Sequence, residues 1–283
     1  MNKFLILALL AVTVCNGCRE NEIENVIKPS QINMTVAPLP SGEMEIYLAG
    51  DGATTINWGD EKSDNIKLTY DMISYRHTYA NSSNYAVNIT CPYITGLAIY
   101  HCRIVNLDIS KNTEINSLSC YSNQLTDLDL KNNILLTSLY CYSNQLTTLD
   151  ISKNKALTSL NCDSNQVAAL DLSQNPVLHL LSCNNNKLTN LDVSKNAALT
   201  SLYCDNNQLT ALDVSKSTAL TSLYCNNNKL TATALNALFQ TLHNNNLLDA
   251  QGMPKDKVIS IGGNPGANTC DRSIANGKGW RVI

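Results

Sequence analysis

The sequence of 283 residues predicts a β-solenoid that follows a small all-β domain and is closed by a C-terminal α/β cap. The first observation is a column of six cysteines at a constant spacing of 21 residues. The second is that leucine and asparagine keep the same spacing. A fixed period in this range is typical of solenoids, whose turns bury a shared core. The columns are Cys120, Cys141, Cys162, Cys183, Cys204 and Cys225; Leu97, Leu118, Leu139, Leu160, Leu181, Leu202 and Leu223; and Asn123, Asn144, Asn165, Asn186, Asn207 and Asn228.

One turn, residues 136–146, reads LTSLYCYSNQL and has the form LxxLxLxxNxL with Cys141 in the third apolar position. This pattern resembles the leucine-rich repeat family over residues 94–230, in seven turns. The resemblance implies a parallel sheet, concave on its outer face, with short turns or 3-10 helix on the other side. The seven copies begin at Ile94, Ile115, Leu136, Leu157, Leu178, Leu199 and Leu220.

Within a turn, Leu139 and Cys141 alternate with Tyr140 and Tyr142, so the first pair is expected in the core. We expect the cysteines to be buried free thiols, which pack as small apolar groups. The alternatives are a chain of disulfides or a metal column. Neighbouring strands lie about 4.8 Å apart with parallel side chains, whereas a disulfide needs Cβ atoms about 3.8 Å apart that face each other.

The outward positions form two columns that contain every tyrosine of the repeats and are the predicted binding surface. Tyrosine combines a rigid ring with a hydroxyl, which suits a protein or a glycan ligand. The alternative is that the tyrosines only stabilise the sheet. The predicted ligand-binding residues are Tyr100, Tyr121, Tyr140, Tyr142, Asn161, Asp163, Tyr203 and Tyr224. The first column is Ala98, Ser119, Tyr140, Asn161, Ser182, Tyr203 and Tyr224, and the second is Tyr100, Tyr121, Tyr142, Asp163, Asn184, Asp205 and Asn226.

The return half of each turn carries an aspartate column. Stacked carboxylates repel unless they are hydrogen-bonded or bridged by a cation. We expect each carboxylate to cap backbone amides of its own turn, the alternative being a column of calcium ions. The column is Asp108, Asp129, Asp150, Asp171, Asp192 and Asp213.

The first 18 residues resemble a bacterial lipoprotein signal peptide. A basic start precedes the apolar run 4–14, which is too short to span a bilayer. The resemblance implies a lipid on Cys18, with Cys15 as the alternative acceptor. The stretch 18–22 is also similar to the charged export signals of Bacteroidetes surface lipoproteins. We expect a tether at 19–30 and an outer-membrane lipoprotein exposed at the cell surface; an ordinary secreted protein is the alternative.

The flanking segments differ in composition from the repeats. Residues 31–93 hold alternating runs, and Trp58, His77 and Tyr79 lie in motifs that resemble a PKD-like β-sandwich, where they would be packing residues. Residues 231–283 are the predicted cap, which begins with a helical pattern through Leu235 and Leu242.

The composition excludes some classes of function. The net charge is −3 and no basic stripe exists, so nucleic acid is not an expected partner. No unique nucleophile–base constellation is present, and no cofactor or metal is expected. The sequence therefore predicts a non-catalytic recognition or adhesion module, anchored in the membrane through its N-terminal lipid only. The alternatives are a structural component of an envelope lipoprotein complex or an accessory to a hydrolase.

Overall fold

The computed structural model describes residues 30–283; the predicted signal peptide, Cys18 and the tether up to residue 29 lie outside the described residues. Most of the described chain is β-strand and short turn. The strands are β1 Ser30–Val36, β2 Glu43–Asn57, β3 Ser63–Leu68, β4 Ile73–Thr78, β5 Tyr85–Cys91, β6 Tyr93–Ala98, β7 Ile104–Asp108, β8 Ser117–Ser119, β9 Ser138–Tyr140, β10 Ser159–Asn161, β11 Leu180–Ser182, β12 Ser201–Tyr203, β13 Ser222–Tyr224, β14 Lys257–Ser260 and β15 Trp280–Val282. The helices are α1 Ala232–Thr241 and α2 Ser273–Asn276. Between residues 30 and 283, no helix has the length and hydropathy needed to cross a bilayer.

The solenoid is a ladder of nine parallel strands, β6 and β8–β15, joined edge to edge. The sequence predicted seven turns, and this number is wrong because the ladder continues through β14 and β15. Leu223 of β13 pairs in register with Ile259 of β14, although α1 and a long loop lie between them. The sequence did not predict that β14 and β15 belong to further turns of the solenoid, because this insertion interrupts the 21-residue spacing.

The long strand β2 connects the N-terminal strands to the ladder. Its first half pairs with β4 and β6, and its second half pairs with β3 and β5. Strand β1 pairs with β5 and also with β7, which lies beyond the predicted boundary at residue 94. Hydrogen-bonded sheet therefore continues from the N-terminal strands into the first turn. The PKD-like sandwich stays a prediction.

An aromatic cluster fills the interior of the N-terminal strands. Trp58 is fully buried and stacks on His77 at 4.8 Å between ring centroids, and Tyr79 stacks on Tyr85 at 3.8 Å. The Tyr79 hydroxyl donates to the carbonyl of Trp58 at 3.0 Å. These contacts agree with the expected packing role of Trp58, His77 and Tyr79.

The solenoid core consists of the leucine and cysteine side chains that the alternation of inward and outward residues predicted. The leucine and cysteine columns are fully buried, and the cysteines are free thiols throughout the described residues. Burial raises the pKa of Cys120 to about 12 and that of Cys162 well above its ordinary value. The column therefore packs as small apolar side chains in the protonated form.

Buried asparagines close the bend after each strand. The amide of Asn144 donates to the carbonyls of Cys120 and Cys141, and its Oδ1 accepts from the backbone N–H of Leu125 at 3.0 Å. One side chain thus satisfies backbone groups of its own turn and of the turn before it. Asn264, after β14, does the same for Leu230 and Cys225, so it is a further member of this column.

The return half of each turn consists of short turns with a second buried asparagine column, for example Asn154, whose amide donates to Asn133 O of the turn before at 2.8 Å. The expected capping by the aspartate column is confirmed. Each carboxylate accepts the backbone N–H two residues further on, as Asp150 does from Ser152 at 2.9 Å. The same bond recurs at Asp108, Asp129, Asp171, Asp192 and Asp213.

Helix α1 lies between β13 and β14 in the chain, and its apolar side chains are part of the core. The hydroxyl of Thr231 caps it by accepting from Ala234 N at 3.2 Å. The predicted apolar side, which includes Leu235 and Leu242, is buried. The C-terminal α/β cap stays a prediction, since β14 and β15 continue the ladder past this helix.

Candidate functional site: the tyrosine face

The tyrosine face is the surface formed by the two outward columns: the first lies at the last residue of β6 and of β8–β13, and the second lies two residues further along the chain. Its side chains alternate with buried leucines and cysteines, and nearly all are half-buried. Successive turns are in register, so equivalent side chains lie directly beside one another. A regular backbone therefore holds these groups in fixed rows about 4.8 Å apart.

A stack of four tyrosines occupies the N-terminal half of this face. The rings of Tyr100 and Tyr121 are 4.7 Å apart and nearly parallel, at 3°, and those of Tyr121 and Tyr142 are 4.3 Å apart at 7°. Tyr47 of β2 extends the stack, with its ring 5.4 Å from that of Tyr100. The rings between the ends of the stack have both faces covered, so these tyrosines present ring edges and hydroxyl groups.

The repeat pattern did not predict Tyr47 as a residue of this face, because Tyr47 lies outside the repeats. Its place depends on the pairing of β2 with β6, in which Tyr47 lies opposite Ala98. The signal in the sequence was the alternation in β2, where Met44, Ile46 and Leu48 are buried and the residues between them point outward. That alternation shows that Tyr47 faces away from the core, but not which strand it will join.

The C-terminal half of the second column is a chain of hydrogen bonds. The carboxylate of Asp163 accepts from Ser182 Oγ at 2.8 Å and from Asn184 N at 2.6 Å. Asn184 Oδ1 accepts from Asp205 N at 2.7 Å, and Asp205 Oδ1 accepts from Asn226 N at 2.6 Å. Asn226 Oδ1 then accepts from Ser260 Oγ at 2.8 Å, so the chain reaches β14. Burial raises the pKa of Asp163 above its ordinary value, against these bonds to its charged form.

The structure does not gather all predicted site residues into one cluster. Tyr100, Tyr121 and Tyr142 stack together, whereas Tyr140 lies in the first column, between Ser119 and Asn161. Tyr203 and Tyr224 form a separate pair at 5.1 Å. Asn161 belongs to the polar half, because its Oδ1 accepts from Asp163 N at 3.0 Å. The face thus has an aromatic half and a polar half.

A cleft of about 500 Å³ lies at the N-terminal end of the stack. Tyr100 and His101 line one side, and Glu45 and Arg76 line the other. The carboxylate and guanidinium groups form an ion pair at 2.9 Å. His101 has a left-handed backbone, with φ of 57°, and its exposed ring lies edge-on to Tyr100 and Tyr121.

In residues 30–283, His, Cys, Asp and Glu side chains form no group of three that could hold a metal ion. The acidic groups of the polar half are instead engaged with amides and a hydroxyl. What this face offers is a fixed pattern of ring edges, hydroxyls, amides and carboxylates.

Comparison with known proteins found solved structures that are similar to this chain, but no matching family. No family model matches the chain. No curated protein matches it either. Among solved structures it is similar to the functional domain of InlJ from Listeria monocytogenes, which includes a cysteine ladder: 30% identity over 65% of this chain and 47% of that one, with a TM-score of 0.36.

Two other similar structures are also leucine-rich repeat or internalin proteins. One is the internalin inlF of Listeria monocytogenes, with 26% identity over 47% of this chain and 41% of that one and a TM-score of 0.43. The other is a leucine-rich repeat protein of Leptospira interrogans, with 22% identity over 62% of this chain and 50% of that one and a TM-score of 0.49. The chain spans about half the length of these structures or less.

Proposed function

We propose that this protein is a non-catalytic recognition module whose tyrosine face binds a protein partner. The observation that carries the proposal is the stack of Tyr47, Tyr100, Tyr121 and Tyr142, which keeps a row of hydroxyl-bearing ring edges rigid at a half-buried surface. Rigid tyrosines lose little conformational entropy on binding and are enriched among the residues that dominate protein interfaces.

The same stack favours a protein over a glycan. A sugar packs its C–H groups on an open aromatic face, and here Tyr100 and Tyr121 have both ring faces covered by neighbouring rings. A protein surface needs no open ring face, because its side chains and carbonyl groups can pack against ring edges and accept from the hydroxyls. The Tyr121 hydroxyl is available as a donor, because a phenol with a pKa of about 10 or higher is protonated at neutral pH.

The polar half would supply specificity. Asp163, Asn184 and Asp205 orient one another through bonds of 2.6–3.2 Å, so their free acceptor positions are fixed before a partner arrives. Preorganised polar groups at the rim of an aromatic patch select a partner with complementary groups. We expect that partner to present lysine or arginine opposite Asp163 and Asp205.

The test is a binding screen of the purified full-length protein in detergent against extracellular-matrix proteins, mucins and a glycan array. Variants would separate recognition from packing. Tyr121→Phe removes the hydroxyl and keeps the stacked ring, whereas Tyr121→Ala removes the ring and the hydroxyl. Tyr70→Ala is the control, because it changes an exposed tyrosine outside the tyrosine face. We expect a protein hit that weakens with both Tyr121 variants and is unaffected by the Tyr70 variant.

A hit that all three variants retain would contradict a tyrosine-face site. A glycan hit lost only in Tyr121→Ala would contradict the argument from covered ring faces. Stable co-purification with an envelope complex, indifferent to these variants, would support an assembly role in its place.

We propose in addition that the protein is a surface lipoprotein that carries its lipid on Cys18. The support is the pattern of the first 18 residues, namely a basic start, a short apolar run and Gly17 before Cys18. Mass spectrometry of the N-terminal peptide would test this, with Cys18→Ser and Cys15→Ser as a matched pair. Loss of the lipid only in Cys15→Ser would place the lipid on Cys15, and absence of any lipid from the unaltered protein would indicate an ordinary secreted protein. Protease treatment of intact cells would test surface exposure.

A further inference from the structure

The C-terminal cap contains a basic cleft that is separate from the tyrosine face. It has a volume of about 560 Å³ and lies between the loop that precedes β14 and the segment that joins α2 to β15. Four cationic side chains line it, against one carboxylate, Asp256. Its polar lining includes Asn244, Asn246, Lys255, Lys257, Lys278 and Arg281.

Lys257 is the central group of this cleft. It is only 8% exposed, and its Nζ donates to the carbonyls of Asn245 at 3.2 Å and Lys278 at 2.7 Å. An ammonium carries three N–H groups, so one remains for a ligand. Among residues 30–283, no carboxylate forms an ion pair with Lys257. Burying a charge without a counter-charge is costly, and burial lowers the pKa of Lys257 accordingly.

A second ammonium is fixed in the same manner. Lys278 Nζ donates to the carbonyls of Gln240 and Leu242, the latter at 2.7 Å, which again leaves one N–H. Exposed Lys255 and Arg281 lie at the rim, together with the side-chain amides of Asn244 and Asn246. A guanidinium beside fixed ammonium groups suits a group with several acceptor oxygens.

We infer that this cleft binds a sulfate or phosphate group, free or as an ester on a small sugar. The oxyanion would accept from Lys257, Lys278 and Arg281 and would supply the counter-charge that Lys257 lacks among the described residues. The cleft is of the size that small-molecule ligands occupy, which leaves room for a sugar attached to the anion. The carboxylate of Asp256 repels an anion, but the cleft has four positive charges against this one negative charge.

Isothermal titration calorimetry of the full-length protein in detergent tests this inference. The titrants are sodium sulfate, sodium phosphate, glucose 6-phosphate and galactose 6-sulfate, with sodium chloride at matched ionic strength. We expect saturable binding of the oxyanions and none of chloride. Tighter binding of the sugar esters would identify the ester form, and equal binding would identify the free ion. Absence of saturable binding for all four titrants overturns the inference.

Variants at the rim avoid disturbing the fold. Lys255→Gln and Arg281→Gln change exposed side chains, and together they should weaken binding at least tenfold. Lys153→Gln removes one exposed positive charge far from the cleft and should leave binding unchanged. Lys257→Met retains an apolar stem and should abolish binding. If the rim variants bind as tightly as the unaltered protein, or if Lys153→Gln weakens binding as much as they do, the cleft is not the site. None of these variants touches the tyrosine face, so either proposal can fail without the other.

Discussion

The ring of Tyr47 stacks on the ring of Tyr100 at 5.4 Å, although the first belongs to the long strand β2 and the second to the first turn of the solenoid. The two strands β2 and β6 are antiparallel and hydrogen-bonded, so the stack begins outside the repeats. The N-terminal strands therefore contribute one ring to the stack and are hydrogen-bonded to the first strand of the ladder.

Tyr121 should stabilise the fold through its ring more than through its hydroxyl. It stacks on a tyrosine on each side, and each aromatic pair contributes about 0.5–1.5 kcal/mol beyond area burial. We expect Tyr121→Ala to lower the free energy of unfolding by about 1–3 kcal/mol and Tyr121→Phe to change it little. Urea unfolding checks this, with Tyr70→Ala as the control. Equal losses in both Tyr121 variants would assign the effect to the hydroxyl.

The buried asparagine column should be highly sensitive to substitution. Asn165 donates to the carbonyls of Cys141 and Cys162 at 3.1 Å and accepts from Leu146 N at 3.0 Å. Because Asn165→Ala leaves several buried backbone groups without partners, we expect a loss of about 3 kcal/mol or more. Exposed Asn190 provides the control, since Asn190→Ala should change stability by less than about 0.5 kcal/mol. Thermal and urea unfolding of both variants would measure the difference.

Asn264 should matter as much as Asn165, although it lies in the predicted cap. Its amide donates to Cys225 O at 2.8 Å and its Oδ1 accepts from Leu230 N at 3.1 Å, the same pattern as within the repeats. We expect Asn264→Ala to cost about 3 kcal/mol and to lower the melting temperature of the whole ladder. A cost close to that of an exposed asparagine would show that the loop after β14 is not a true turn of the solenoid.

The six column cysteines should be unreactive in the folded protein. They are fully buried, and burial raises the pKa of their thiols, to about 12 for Cys120. Thiol reagents attack the thiolate, so labelling requires both exposure and deprotonation. We expect native protein to react at the half-buried Cys270 before any column cysteine, and unfolding in guanidinium chloride to release all of them. Rapid labelling of Cys162 in native protein, read by peptide mass spectrometry, would contradict the packing described above.

Two aspartates should respond to pH in opposite directions. Burial raises the pKa of Asp163, so its contribution to stability is fully present below the unfolded pKa and is lost as pH rises through the folded pKa. The backbone N–H of Ser173 lowers the pKa of Asp171, whose contribution is present above the unfolded pKa and lost as pH falls. Relative to the unaltered protein, Asp163→Asn should gain stability as the pH rises above about 4, and Asp171→Asn should lose stability as the pH rises toward about 4 from the acid side. Urea unfolding on both sides of this pH would check both signs, and the same sign for both would contradict the assignment.

Periodicity predicted the parts of the molecule that repeat. The alternation around Leu139, Cys141 and Tyr142 indicated correctly which side chains enter the core, because a strand has only two faces. Spacing also predicted the rows on the tyrosine face. Whether those rows bind a ligand stays a prediction, since stacking and recognition require the same side chains.

Contacts between the repeats and the segments outside them could not be predicted from the sequence. Tyr47 joins the stack through antiparallel pairing, which leaves no trace in the repeat. The turn at Ile259, Ile261 and Asn264 follows the repeat pattern, but its spacing from β13 is altered by the insertion of α1. The basic cleft was missed because Lys257 and Lys278 converge only when β14 and β15 pair.

The asparagine column has a consequence for the order in which the turns fold. Each of these side chains completes the backbone hydrogen bonds of the turn before it, as Asn144 does for Leu125 and Asn264 does for Leu230. A nascent chain therefore cannot finish one turn until the next has left the ribosome or the export channel, and the last repeat waits for residue 264. Truncation at the C-terminal end therefore leaves the backbone N–H groups after the last remaining asparagine without this acceptor, whereas removal of residues from the start leaves the side-chain acceptors of the following turns in place.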